Sequence, residues 1–220
     1  LDSSGNDFEG YSWTGESWGT TFLKDEAPSH FPSGSHSHYF DGSDDDYFRI
    51  EYPLAQALDG DFTIDFWIKF EDITGGSWSN DYQFIFDRGT DDDSNGDWGP
   101  YLKMRLDNAG DFRLEQSWWD GSSWTGHEVN LSTPFQNDTW HHVAFVRSVG
   151  NITDDHMLFI DGADSGEDFS GWDNSIAYDW GASNDAHDTE RGLIKFGNAG
   201  DGFGASFDHF FKGYIDEIRI

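Results

Sequence analysis

The chain has no cysteine. Neither a disulfide framework nor a thiolate metal site is open to it. Basic residues are scarce: 12 Lys and Arg stand against 43 Asp and Glu, a formal net charge of −31. A field that negative repels phosphate backbones and anionic lipid, which argues against nucleic-acid and membrane-surface binding. No apolar run approaches the ~18 residues that a spanning helix needs, so no membrane insertion of that kind is expected. Glutamate is short as well, with 10 Glu against 33 Asp. Glu favours helices while Asp favours turns and caps, so the imbalance argues against a helical fold. Proline numbers only 5, so few strand ladders need be broken. An internal repeat and a linker that would cut the chain in two are also missing. The chain begins at Leu1 without Met or a signal-like segment, as a processed chain or a fragment does.

What is present is aromatic. The 20 Phe, 11 Trp and 8 Tyr can fill a core despite the charge. A chain of 220 residues can bury about 70% of the surface it exposes when unfolded. Periodicity finds strands. Phe62, Ile64, Phe66, Ile68 and Phe70 share one face of an alternating run; Thr63, Asp65, Trp67 and Lys69 share the other. Trp140 to Arg147 is apolar on both faces, which predicts a central strand covered on two sides, with Trp67 and Trp140 in the core. Further strands are predicted at Tyr39-Phe40, Tyr47 to Tyr52, Tyr82 to Asp87, Tyr101 to Asp107, Phe112 to Trp119, His127 to Leu131, Met157 to Asp161, Leu193 to Gly197 and Lys212 to Ile220. Turns at Asp107-Asn108-Ala109-Gly110-Asp111, Asp120-Gly121-Ser122-Ser123 and Asp161-Gly162 join neighbours as hairpins. The only helix-like stretch is Pro53 to Leu58. The pattern predicts an all-β sandwich of 12 to 14 strands. Gly75 to Asp81, Asp91 to Gly99 and Phe169 to Arg191 read as long surface loops of one domain, and such loops are where binding sites sit.

Several segments in order carry a family resemblance. They are Tyr39-Phe40-Asp41-Gly42, Asp46-Tyr47-Phe48-Arg49-Ile50, Phe62-Thr63-Ile64-Asp65-Phe66-Trp67-Ile68-Lys69 and Asp107-Asn108-Ala109-Gly110. Thr139-Trp140-His141-His142-Val143-Ala144-Phe145, Leu158-Phe159-Ile160-Asp161-Gly162 and Phe211-Lys212-Gly213-Tyr214-Ile215-Asp216-Glu217-Ile218-Arg219-Ile220 follow. In this order and spacing the chain resembles a LamG-like jelly-roll domain of the concanavalin A-like lectin/glucanase superfamily. The resemblance covers residues 37–220 and implies two packed, curved antiparallel sheets. Residues 1–36 match poorly and read as a lead-in that supplies a first strand around Thr20 to Leu23.

Glucanases of this superfamily place their carboxylates as Glu-x-Asp-x-x-Glu on one strand, an alternation that points them to one face. None of the ten Glu begins that pattern, so no enzyme is expected. Calcium is the expected cofactor. Asp216 shares a strand parity with Tyr214, Ile218 and Ile220 and is predicted to point inward, where a carboxylate needs a cation or hydrogen-bond donors. The resemblance implies a structural calcium held by this Asp and an early loop, with Asp41, Asp44 and Asp46 as candidates. The alternative is an Asp216 paired with Arg or backbone N–H groups. Asp87, Asp91, Asp92, Asp93 and Asp97 form a second acidic cluster; Asp87 and Asp93 are its candidate ligands, though the spacing matches no EF-hand. The alternative there is a solvated acidic loop.

Tryptophans in polar loops offer flat apolar faces beside hydrogen-bonding groups, the pairing that sugars require. Trp119 and Trp124 flank one hairpin together with Trp118, while Trp78, Trp98, Trp172 and Trp180 sit in Gly/Asp/Ser-rich loops. Trp98, Trp119, Trp124, Trp172 and Trp180 are the candidate ligand-binding residues. His36 and His38 share a strand face, and His141 and His142 do not; all read as ordinary polar or packing histidines. Asn130-Leu131-Ser132, Asn137-Asp138-Thr139 and Asn151-Ile152-Thr153 fit the glycosylation pattern, which matters only in a eukaryotic secretory setting. The expected function is a non-catalytic glycan-binding or adhesion module, extracellular or on a virion surface. Extreme acidity suits a salty setting, where salt screens self-repulsion, so a marine phage appendage is the preferred context. Expected partners are a glycan or a neighbouring subunit of a larger assembly, with an oligomer open. The alternative is a structural fibre or capsid decoration without a sugar site.

Overall fold

A computed structural model describes residues 10–14, 23–24, 28–29, 37–42, 46–50, 58, 60–73, 83–88, 101–119, 122–149, 156–173, 194–197 and 211–220. Among these the secondary structure is strand, apart from a single 3-10 residue at Leu58. The strands are β1 (Gly10–Thr14), β2 (Leu23–Lys24), β3 (Ser37–Asp41), β4 (Asp46–Ile50), β5 (Phe62–Phe70), β6 (Gln83–Arg88) and β7 (Tyr101–Leu106). They continue as β8 (Phe112–Trp119), β9 (Trp124–Leu131), β10 (Trp140–Arg147), β11 (His156–Ile160), β12 (Ala163–Asp164), β13 (Ile194–Phe196) and β14 (Lys212–Arg219). They form two seven-stranded antiparallel sheets. The first, sheet A, has the order β1-β4-β13-β6-β7-β8-β9; the second, sheet B, has β12-β11-β10-β5-β14-β3-β2. This is the jelly-roll sandwich that the turn spacing predicts. The stretch Pro53 to Ala57 lies outside the described residues.

Alternation builds the core. Phe62, Ile64, Phe66, Ile68 and Phe70 of β5 all face inward, against Leu102, Met104 and Leu106 of β7 and Phe112 and Leu114 of β8, in one cluster. Aromatic rings interlock there edge to face, as Phe66 with Phe196 at 5.5 Å and Phe70 with Phe211 at 5.3 Å. Gly213 has φ 151°, and a Cβ there would stand 2.1 Å from the Lys69 carbonyl oxygen, so only glycine lets β14 lie this close to β5.

Turn chemistry fixes the register. The Asp107 carboxylate accepts N–H bonds from Ala109 at 2.9 Å and Asp111 at 3.0 Å, and Arg113 donates to it at 2.8 and 3.0 Å. The Asp161-Gly162 turn takes positive φ at both positions, 53° and 77°, which is the hairpin turn that this dipeptide favours. Asp161 also ties back to β10. Its Oδ1 accepts the His142 N–H and its Oδ2 the His141 ring, each at 2.8 Å. His141 Nε2 accepts the Gln136 N–H at 3.2 Å, so the ring proton sits on Nδ1 and is donated to Asp161.

Two expectations fail on sheet B. β10 is central in the order, between β5 and β11, but among the described residues its outer face contributes nothing to the core cluster. Trp140 and His142 are half-buried there, and Trp67 alternates with the core residues Phe66 and Ile68. Trp67 and Trp140 are therefore outer-face residues rather than core. The second failure is Asp216. The register of β14 on β5 shifts between Asp216 and Arg219, and Glu217 adopts φ 49°. This bulge inserts a residue and resets the parity. Ile218 and Ile220 pack on the core, while Asp216 lies opposite Trp67 on the outer face, where its Oδ1 accepts the Glu217 N–H at 2.8 Å.

Candidate functional site

The outer face of sheet A carries a linked set of charged and polar residues, part of it buried. Leu102, Met104 and Leu106 face the core, so Tyr101, Lys103 and Arg105 of β7 face outward. The same parity turns Arg113, Glu115 and Ser117 of β8 outward, and Gly126, Glu128 and Asn130 of β9. Lys103, Arg105, Arg113 and Lys195 are four of the chain's 12 basic residues, gathered on one face of a protein with net charge −31.

The register sets these groups in rows. One row runs Lys195, Asp87, Lys103, Glu115, Glu128 across five strands. Its inner part is buried: Lys103 is 3% exposed, Asp87 4% and Lys195 6%. Lys103 Nζ lies 4.0 Å from Asp87 Oδ1 and 4.3 Å from the Tyr101 ring centroid. The outer part is open to solvent. Arg105 donates to Glu128 at 3.0 Å and sits 3.2 Å from Glu115; Arg113 bridges Glu128 and Asp107. The Tyr101 hydroxyl donates to Glu115 at 2.7 Å. Burial, then the Glu115 charge, pushes this phenol above its ordinary pKa, so it stays a neutral donor.

The next row is small. Tyr101 pairs with Ser117, and Ser117 with Gly126. The Ser117 hydroxyl turns back to donate to the Thr125 carbonyl at 3.0 Å. A Cβ on Gly126 would stand 2.9 Å from Ser117 Oγ, so the Ser117 side chain occupies the place beside Gly126 and the two make a close-packed row of small residues. The last row is Trp119 opposite Trp124, closing the hairpin at the free edge of the sheet. Their side chains lie outside the described residues, as do all of Trp98 and Trp180. Sequence reasoning passed over this small-residue row; a glycine in the middle of the run Trp124-Thr125-Gly126-His127 was the available signal.

Trp172 is not part of this surface. It is 8% exposed and packs among Phe169 at 5.1 Å, His156 at 5.2 Å and Phe145 at 5.8 Å. The cause is a clasp under β8. Gln116 donates through its amide to the Asp173 carbonyl at 3.1 Å and accepts the Asp173 N–H at 2.9 Å. This pins residues 171–173 beneath the hairpin and drives the indole into the core, so it offers no free face to a ligand.

The acidic candidates do not converge. Asp41 pairs with Lys212 on β14, four residues from Asp216, which separates them by about 13 Å at the rise of a strand. Asp87 is flanked in register by Lys103, with Nζ 4.0 Å from its Oδ1, and by Lys195, so two cations already stand beside this carboxylate. Among the described residues no group of three His, Asp or Glu is placed to hold a metal ion. Asp44 and Asp93, and the Asp46 side chain, lie outside the described residues.

The sandwich, with its final strand from Lys212, is matched by a family model over residues 41–220. The chain belongs to the concanavalin A-like lectin/glucanases superfamily. The match begins four residues after the predicted start at position 37. Solved members of similar fold include domains LG4-5 of the mouse laminin alpha1 chain, at 15% identity and TM-score 0.51, covering 89% of this chain and 44% of that one. The binding domain of botulinum neurotoxin serotype D gives 14% identity and TM-score 0.53, covering 99% of this chain and 44% of that one. The binding domain of botulinum neurotoxin DC, in complex with SialylT, gives 13% and 0.53, covering 99% and 43%. This chain spans less than half the length of each. Identities this low show the shared fold. No curated protein sequence matches the chain.

Proposed function

We propose that this chain is a non-catalytic glycan-binding or adhesion module that reads sugars at the β7–β8–β9 end of sheet A. The observation that carries the reading is the row of small residues formed by Ser117 and Gly126. It lies between the hydrogen-bonding set of Tyr101, Arg105, Glu115 and Glu128 and the register pair Trp119 and Trp124. Sugars need donors and acceptors for their hydroxyls and a flat apolar surface for their C–H faces, and the β7–β8–β9 register sets residue types suited to both in neighbouring rows. The SialylT complex of the similar toxin domain supports the same class of ligand. Mixed charge around this row suits a hydroxyl-rich ligand, with Arg105 and Arg113 as partners for a carboxylate-bearing sugar. The reading places the module in an extracellular or virion-surface setting, which the family's habit and the acidity support, with a marine phage appendage as its most specific form.

Calcium stays within this reading only through Asp44, Asp46 and Asp93. A fluorescent glycan array, probed with the whole chain in calcium and in EDTA, tests both parts. Binding to a defined glycan set supports the module. No binding in either buffer overturns it in favour of a structural decoration. Equal binding and equal melting in both buffers removes calcium.

A further inference from the structure

Residues 165–173 form a strap that leaves β12, at the edge of sheet B, and reaches β8 and β9 of sheet A. It is fastened at its ends. The Ser165 N–H donates to the Leu158 carbonyl of β11 at 2.8 Å, and Gln116 of β8 clasps Asp173 at 2.9 and 3.1 Å. Between these points the backbone bonds stay within the segment. Gly166 donates to Asp164, Ser170 to Asp168, and the Trp172 N–H to the Phe169 carbonyl. The middle of the strap is therefore held to the sandwich by packing. Gly171 lies against β9, where a Cβ would stand 2.7 Å from His127 Nδ1, and Phe169 and Trp172 lie against sheet B.

A histidine stands at the centre of that packing. His156 of β11 is 4% exposed. Its ring stacks on Phe145 at 5.8 Å and on Phe169 at 6.0 Å, with Trp172 at 5.2 Å. Among the described residues its buried Nε2 has no hydrogen-bond partner. A neutral imidazole is one more plate in this seam. A protonated one is a charge held out of water with an unmet donor, and the aromatic faces return only part of that cost. The charge facing it from β10 is the Arg147 guanidinium, its register partner, which repels a second cation. From the strap the acids are Asp164, Glu167, Asp168 and Asp173, and those of Asp164 and Asp168 are engaged by the strap's own turns. The Ser170 N–H holds the Asp168 carboxyl below its ordinary range, so that turn keeps its charge in mild acid.

We propose that residues 165–173 are an acid-released strap with His156 as its latch, opening locally while the sandwich stays folded. Lifting the strap frees the imidazole to water, where it binds a proton that the shut seam refuses. The sign follows from burial, which lowers the His156 pKa from 6.5 to about 4 in the shut form. Above the upper value acid has no effect. Between the two values the open form binds more protons, so opening grows as pH falls, and below the lower value the gain is complete.

The test is hydrogen exchange of the whole chain followed by mass spectrometry from pH 7 to pH 4, with rates corrected for intrinsic exchange. Opening of peptides covering residues 166–173 should rise about 10–100-fold across this range, while those of β5 stay protected. His156→Gln removes the titration, and His156→Phe does so while keeping an aromatic plate; either should reduce the rise to less than about threefold. Wild-type protein gives a reading without substitution, the His156 imidazole followed by NMR and assigned through contacts with Phe145 and Phe169. Titration of that ring at its ordinary value in the folded chain overturns the inference. So does a strap whose opening ignores pH, or one that responds equally in both variants. Exchange of β5 in step with the strap makes the event global unfolding and overturns it as well.

Discussion

Replacing Trp172 by Ala separates an indole that builds the fold from indoles that meet a ligand. Trp172 is 8% exposed and touches Phe145, His156 and Phe169 with ring centroids 5.1–5.8 Å away. An indole buries roughly 150–250 Å², worth about 4–6 kcal/mol as an upper bound at ~25 cal/mol/Å². Measured Trp→Ala costs in cores run about 3–5 kcal/mol, because the cavity collapses only in part. The Gln116–Asp173 clasp holds the backbone at two points, which limits collapse and favours the upper half of that range. The expected loss is therefore about 4 kcal/mol, or roughly 10 °C in Tm for a chain of this size. Urea unfolding should move the midpoint down at unchanged slope. Glycan affinity per folded molecule should hold at low temperature. A loss under about 1 kcal/mol together with abolished glycan binding would refute the core assignment.

Other variants probe the same structure. Asp107→Ala removes four hydrogen bonds to one carboxylate, two of them from Arg113, and should cost about 2–3 kcal/mol by urea unfolding; a cost near zero would contradict the role given to this carboxylate in the turn. His156 is buried beside Arg147, and burial first, then that charge, lowers its pKa to about 4. The folded chain therefore binds fewer protons than the unfolded chain between the unfolded value near 6.5 and about 4. Its share of stability is complete above the upper limit and falls as pH drops through that window, by roughly 2 kcal/mol after allowance for solvent screening. His156→Gln should flatten the difference, and parallel wild-type and variant pH curves would reject it. Gly126→Val forces a side chain against Ser117, and should weaken glycan binding per folded molecule by roughly 1 kcal/mol or more, read by titration calorimetry; unchanged affinity would move the site elsewhere.

The alternation of Phe62 to Phe70 and the turn residues at Asp107 and Asp161 made the sandwich legible in the sequence, because period and turn chemistry are local properties. Trp67 and Trp140 misled for a physical reason. An aromatic on the outer face of a strand has the same composition as one in the core, and only the parity against Phe66 and Ile68 separates them. Asp216 misled because a bulge at Glu217 shifts parity without any glycine or proline to announce it. Trp172 sits in a polar, glycine-containing stretch that reads as a loop, and its burial depends on Gln116, 57 residues from Asp173 along the chain. The charged rows of sheet A were equally hidden, since Lys195, Asp87, Lys103 and Glu115 meet only through register.

The claim that this module reads glycans at the β8–β9 hairpin is tested most directly by calorimetric titration of the strongest array glycan into wild type, Trp119→Ala and Trp124→Ala. The account predicts that each substitution weakens binding by roughly 1–2 kcal/mol while the unfolding midpoint stays nearly fixed. Undiminished affinity in both variants, or unfolding of both with residual binding intact, would contradict it.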